Sequence, residues 1–131
     1  VKKIEKQYVY FENPRGYILF KNEKELYRFL KENFLRDYIE QFKIDDGCFV
    51  DFCLDSRHKI FVEVKNWFVT IKDMEQFLKY FVHASELYGE NNFRLQVIAG
   101  GIEPLRRKIL EKVGIQVVLT KDLVQTYEQR T

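Results

Sequence analysis

The sequence is short of the residues that staple or interrupt a chain, with two cysteines, two prolines, two histidines and six glycines among 131 residues. Two cysteines exclude a disulfide scaffold. Cys48 and Cys53 lie five apart in what reads as one strand, so alternation turns them to opposite faces and keeps them from bridging each other. With only His58 and His83 beside them, no Cys/His spacing suggests zinc. No uncharged apolar run approaches the roughly 18 residues of a membrane span, so no membrane partner is expected. The opening residues, Val1-Lys2-Lys3-Ile4-Glu5-Lys6, are too polar for a secretory leader, and a cytoplasmic protein is the expectation. The chain does not begin with Met, which leaves an excised domain open. An excess of one charge is missing too. Lys and Arg number 22 against 20 Asp and Glu, a formal +2, which removes any argument from bulk charge to a nucleic-acid partner.

What is present is enough for one core. The composition is 46% hydrophobic and 32% charged, which excludes intrinsic disorder, and the length suits a single domain. Residues 7–11 and 17–20, around Glu12-Asn13-Pro14-Arg15-Gly16, read as an aromatic β-hairpin with apolar residues on both faces. It must pack on the domain or on a second copy, so a homodimer through this hairpin is one expectation. A helix follows over about 23–39, with Asn22 as N-cap and a stripe of Leu26, Leu30 and Phe34 widened by Phe29. Two strands come next, Cys48 to Leu54 and Lys59 to Lys65, around the turn Asp55-Ser56-Arg57-His58. A long helix starts at Thr70, where Thr70 and Asp73 resemble a capping box. Ile71, Met74, Phe77, Leu78, Phe81 and Val82 form its expected apolar face, and Gly89 its stop. Arg94 to Ala99 reads as a buried strand, Pro104 opens a helix that Gly114 closes, and Ile115 to Leu119 is a final strand before a frayed helix. The fold class is α/β with a mixed sheet.

The chemistry concentrates between Asp51 and Tyr80. If the two middle strands form a hairpin centred near Arg57, Asp51 faces Glu63 with Cβ atoms roughly 5 Å apart. Glu63 and Lys65 point to the same face, about 6.5–7 Å from each other along the strand. Two carboxylates so close repel unless a cation joins them or one takes up a proton. Mg²⁺ suits such a pair, because it accepts a few carboxylate oxygens and keeps waters for a substrate phosphate. The bland alternative is the wet face of an amphipathic hairpin. The neighbours Phe49, Cys53 and Phe61 argue against it, since charges among apolar side chains are costly unless paired. Gln76 and Tyr80, four apart on the long helix, share a face. Glu23 falls on the core stripe of the first helix, where it either joins the carboxylates or favours the helix dipole; Glu25 falls on a different face.

The pattern Gly47-(x3)-Asp51-(x11)-Glu63-Val64-Lys65-(x10)-Gln76-(x3)-Tyr80 resembles the PD-(D/E)xK nuclease superfamily, and its Gln…Tyr pair is similar to the RecB-type and archaeal NucS-type branch. Residues 97–104, with Gly114-Ile115 after them, look like the tail of that nuclease domain. The resemblance covers roughly residues 22–119. It implies a restriction-endonuclease-like αβββαβ core with a central mixed sheet flanked by helices. Residues 1–21 would add the N-terminal hairpin and 120–131 a C-terminal helix. It also implies a Mg²⁺- or Mn²⁺-dependent DNA nuclease in which Asp51, Glu63 and the Val64 carbonyl bind metal. Lys65 would orient the attacking water or stabilise the transition state. Gln76 and Tyr80 would support the site and touch the substrate backbone, and Glu23 would be the helix-borne carboxylate. Val50 stands where the family name has proline. Single strands, flaps or ends are the expected DNA substrates. A junction-resolving endonuclease and a non-cleaving nucleic-acid-binding module are the alternatives.

Further residues have two readings each. His83 is a proton carrier or a boundary histidine with a local hydrogen bond, the second favoured. Trp67 and Phe68 stack on an unpaired base or fold over the core edge. Arg106, Arg107 and Lys108 grip phosphates or, the better reading, form a solvated face. Gly100-Gly101 lacks the spacing of a nucleotide loop.

Overall fold

The computed structural model describes residues 7–130; the polar opening residues 1–6 and Thr131 lie outside that range. Two short strands, β1 (Tyr10–Glu12) and β2 (Ile18–Phe20), pair antiparallel. Asn13 closes their turn by accepting the N–H groups of Arg15 and Tyr17 on Oδ1. The hairpin packs on its own domain: Leu19 and Phe20 are buried, and Asn66 clamps Phe20 by accepting its N–H (2.9 Å) and donating to its carbonyl (2.8 Å).

Helix α1 (Glu23–Asn33) begins at Asn22, whose Oδ1 accepts the Glu25 N–H at 2.8 Å. It stops well short of residue 39, because the Leu30 carbonyl takes the N–H groups of both Phe34 and Leu35 and ends the helical progression. Residues 34–38, assigned by pattern to the helix, form turns instead, and Ile39 opens a strand. That strand, β3 (Ile39–Asp45), supplies the third member of the αβββ unit and is a correction to the periodicity reading. Strands β4 (Cys48–Leu54) and β5 (Lys59–Phe68) follow in the expected register, Phe52 opposite Val62, Cys53 opposite Phe61 and Leu54 opposite Ile60.

Helix α2 (Ile71–Tyr88) starts on the capping box, with both Thr70–Asp73 hydrogen bonds formed, and ends at Gly89 with φ 86°. Its buried stripe is Met74, Phe77, Tyr80 and Ala84, while Ile71 and Val82 are exposed, so the apolar face is rotated from the one expected. A short 3₁₀ turn, Glu90–Asn92, leads into β6 (Phe93–Gly101). Helix α3 (Pro104–Val113), capped by left-handed Gly114, is followed by β7 (Ile115–Leu119) and α4 (Thr120–Arg130). The last helix is docked rather than frayed: Val124 is buried, and Tyr127 stacks edge-on against Tyr8 and Phe29.

The sheet order is β3-β4-β5-β6-β7, antiparallel through β5 and parallel from β5 to β7. One face buries Phe61, Leu95, Val97 and Ala99 under α2 and α3. The other buries Phe52, Val62, Val64 and Ile98 under α1, α4 and the hairpin. This is an α/β mixed sheet covered on both faces. Strand alternation breaks once in β4. Cys48 and Val50 before Asp51, and Cys53 after it, all join the α2 layer, whereas Phe52 joins the α1 layer. The two free, buried cysteines therefore contribute to one layer, not to opposite ones. The phase change coincides with Gln41 on β3, the described non-glycine residue with positive φ (52°). Among the described residues, no helix is long and apolar enough to cross a membrane.

Candidate active site

The site lies where the β4–β5 ladder stops. Backbone pairing ends at Phe52 and Val62, and one step further the side chains take over the backbone donors. Asp51 N–H donates to Glu63 Oε1 at 3.1 Å, and Val64 N–H donates to Asp51 Oδ2 at 2.7 Å. Strand donors need partners, and here carboxylates provide them. Asp51 and Glu63 are thus brought together as the register suggests, but through side chain and backbone rather than as a simple facing pair. Phe49 is 47% exposed and does not enclose them; Cys53 and Phe61 are buried.

Glu63 is buried, with 5% of its surface exposed. Burial pushes its carboxyl up to about 9 and the Asp51 charge acts in the same direction, while the hydrogen bond from the Asp51 N–H opposes them. The Lys65 charge opposes them. Lys65 itself lies 3.6 Å from Asp73 Oδ1, so the capping residue of α2 also fixes the ammonium of β5. The Tyr80 phenol, buried from α2, is raised first by burial and then by the nearby Glu63 charge.

From the other face, Tyr27 on α1 comes near Asp51, and burial first and then the Asp51 charge hold its phenol protonated. Glu23 stands one turn before Tyr27. The residue is exposed overall, yet its carboxyl is raised by partial enclosure and then by Asp51, with Lys65 opposing and Asp73 adding. Glu25 points away: it pairs with Arg28 at 2.7 Å and accepts the Val9 N–H, which lowers its carboxyl. Gln76 lines a cleft of about 440 Å³ beside Lys65, with Lys72, Asp73, Glu75 and Lys79. A larger depression, about 730 Å³, runs along the outer side of α3 and contains none of these groups. The smaller cleft is the one next to the carboxylate pair along β5: Lys65 and Gln76 line it, while Asp51 and Glu63 are not among its lining residues.

The donor set fits a hard divalent cation: two oxygen-only ligands with a shortage of positive charge, in a site open on one side. Among the described residues, no group of three or more His, Cys, Asp and Glu is close enough to hold a metal by itself. Glu23 is a charged neighbour of the pair.

The remaining candidates separate. His83 Nδ1 lies 3.4 Å from Asp45 Oδ2, a local contact away from the carboxylates. Phe68 folds under Tyr17 (4.9 Å, edge-on), but Trp67 is 62% exposed. Arg106 donates to the Val69 carbonyl and Arg107 to the Val117 carbonyl, so both serve the fold. Gly100 is a packing glycine: a Cβ there would sit 2.9 Å from the Asn66 carbonyl oxygen. Three contributors escaped the sequence reading. Gln41, whose Nε2 is 3.5 Å from Asp51 Oδ1, carried no signal. Asp73 was absorbed by its capping role. Tyr27 had a signal, since it lies four residues after Glu23 on the same helix face.

Neither a protein-family model nor a curated protein matches the chain. Two solved structures match it in fold. A repair endonuclease from Pyrococcus abyssi superposes with a TM-score of 0.60 at 24% identity, over 74% of this chain and 46% of that one. An EndoMS–dsDNA complex gives a TM-score of 0.63 at 19% identity, over 83% of this chain and 48% of that one. The chain therefore spans about half the length of each. At these identities the likeness is one of fold: the chain has the restriction-endonuclease-like nuclease fold of a repair endonuclease.

Proposed function

We propose, on the premise of that nuclease fold, that this chain is the catalytic domain of a divalent-metal-dependent deoxyribonuclease, acting on single strands, flaps or ends. The observation that carries the reading is the Asp51–Glu63 pair, two carboxylates tied to backbone N–H groups at the open end of a hairpin. Such a pair is costly unless a cation or a proton resolves it. Both neighbours in fold are described as endonuclease or DNA-bound proteins, which agrees with this choice.

Asp51, Glu63 and the Val64 carbonyl would hold Mg²⁺ or Mn²⁺. A cation so held polarises a phosphodiester and lowers the pKa of bound water. The chain's own groups do the rest. Lys65 offers an ammonium to the non-bridging oxygens as charge builds on phosphorus, while Asp73 limits its positions. Tyr80 flanks the Glu63 carboxyl from α2, and Tyr27 flanks that of Asp51 from α1. Gln76 presents an amide to the substrate backbone from the cleft wall. Glu23 adds negative charge at the rim, which favours a cation there over an empty site.

The test is a panel of labelled single-strand, flap, blunt-duplex and four-way-junction DNAs with Mg²⁺, Mn²⁺ or chelator. Cleavage that needs the metal and is lost in Asp51→Asn supports the reading. Cleavage unaffected by chelator would sink it.

A further inference from the structure

Tryptophan occurs once in this chain, and it is not in the core. Trp67 sits two residues beyond Lys65 on β5, about 7 Å along a regular strand, with 62% of its surface exposed. Its flanking residues are both anchored. Asn66 is hydrogen-bonded twice to Phe20, and Phe68 packs against Tyr17. The ring of Phe68 also occupies the space a Cβ on Gly101 would take, at 2.6 Å. The β5–β6 register shifts between Lys65 and Phe68, an irregularity that falls on the Trp67 segment. A bulge of this kind re-aims a side chain. The indole is therefore presented to solvent by a rigid backbone at the end of the strand that carries Glu63 and Lys65.

Lysines line the cleft at Lys65, two residues before Trp67 on the same strand. Lys72, Gln76 and Lys79 share one face of α2, with the two lysines about 10 Å apart along the axis, and they line the cleft that opens at Lys65. Beyond Phe68, Arg15 lines a second, smaller depression with Asn13 and Pro14. Three lysines in a cleft that also holds Asp73 and Glu75, with one exposed aromatic ring on the adjoining strand, have the chemistry of single-strand recognition: phosphates follow the cations, and an unpaired base stacks on the ring. A paired base offers its edges rather than a free face.

We infer that Trp67 is a stacking platform for an unpaired base of a single DNA strand that runs along Lys79, Lys72 and Lys65. The inference rests on the nuclease reading for its choice of DNA and deepens it to a substrate with an unpaired nucleotide beside the scissile bond.

As the sole tryptophan, Trp67 reports on itself. The full chain in Ca²⁺ buffer is titrated with a fluorescein-labelled oligothymidylate and, separately, with a blunt hairpin duplex. Binding is read by anisotropy, and indole emission is followed with the unlabelled oligomers. The expected result is quenching of emission by the oligothymidylate in step with its binding isotherm and little change with duplex. Trp67→Ala should weaken single-strand binding about 5- to 100-fold, with Trp67→Phe restoring most of it and the melting temperature unchanged in both. Tight single-strand binding with unchanged emission, equal affinity in Trp67→Ala, or no single-strand binding at all overturns the inference. Metal-dependent cleavage accompanied by silent emission removes the platform and keeps the nuclease. Quenching with no cleavage under any metal keeps the platform and removes the nuclease.

Discussion

The β4–β5 hairpin has two ends built from the same pair of strands by opposite means. At the turn end, Phe52, Cys53, Phe61 and Val62 pair backbone to backbone and are fully buried, so the ladder and the core coincide. At the open end, the Asp51 and Val64 donors go to carboxylates, and the hairpin is held apart by charged side chains. The first end supplies stability, and under the proposed function the second supplies reactivity. Because the acids hang on backbone N–H groups of a sheet rather than on a loop, their positions are set by the register of the turn end. Removing groups from each end should therefore give opposite phenotypes.

The largest effect is expected at the open end. Asp51→Asn keeps an acceptor for the Val64 N–H but removes the charge, and Lys65→Ala removes the ammonium. Each should lower cleavage on the order of 10²–10⁴-fold, with a melting temperature close to that of the parent protein. Asp51→Ala should do the same and also destabilise the fold by about 1–3 kcal/mol, since it leaves a buried donor unpaired. Single-turnover cleavage and denaturant melts read the two quantities separately. Near-parental cleavage by Asp51→Asn would remove Asp51 from the site.

At the turn end, Phe61 touches the rings of Phe42, Tyr88 and Phe93 and is fully buried. Phe61→Ala should cost about 3–5 kcal/mol of stability by creating a cavity. Cleavage per folded molecule should stay within a few-fold of the parent at a temperature where the variant is folded. A large loss of activity without loss of stability would erase the division between the two ends.

The pH dependence of the metal-free protein sharpens the contrast. Glu63 binds its proton more tightly when folded than when unfolded, because burial and then the Asp51 charge disfavour its anion. Its contribution is thus fully present below the ordinary carboxylate value and is lost as pH rises toward about 9. In chelator, the melting temperature should fall by several degrees between pH 5 and pH 9, and Glu63→Gln should flatten that slope. At pH 8, added Mn²⁺ should raise the melting temperature, since a cation bound only by the folded state stabilises it. A parent slope equal to that of Glu63→Gln would show that Glu63 does not titrate this way.

Much of this hairpin was legible in the sequence, because a polar four-residue turn between two apolar strands fixes the register and hence the encounter of positions 51 and 63. Caps and stops at Asn22, Thr70, Gly89 and Gly114 were legible for the same local reason. Strand β3 was not. It is an edge strand whose Glu40, Gln41 and Lys43 are exposed, and only Ile44 is buried, so it carries little of the alternation that marks a strand. The face of α2 was misjudged because Tyr80 and Ala84 bury while the more apolar Ile71 and Val82 do not, a choice made by the sheet beneath. Asp73 reaches Lys65 across elements, and no pattern within a single element reports such a contact.

The smallest effect concerns how the two ends of the hairpin are separated. Gln41 adopts φ 52° beside Asp51, where the alternation of β4 changes phase, and its amide is 3.5 Å from Asp51 Oδ1. A contact that long is weak, whereas a left-handed backbone costs a non-glycine residue about 1–2 kcal/mol. Gln41→Gly should therefore stabilise the protein by up to about 1 kcal/mol and leave cleavage within roughly threefold, since glycine meets the backbone requirement without a side chain. Gln41→Val should destabilise it, because a β-branched residue is disfavoured in that conformation. Equilibrium denaturation ranks the three proteins. If glycine lowers stability and cleavage together, the amide holds Asp51 directly and the open end extends onto β3. If it raises stability alone, the backbone turn at position 41 is what aims Asp51 toward Val64 and Glu63.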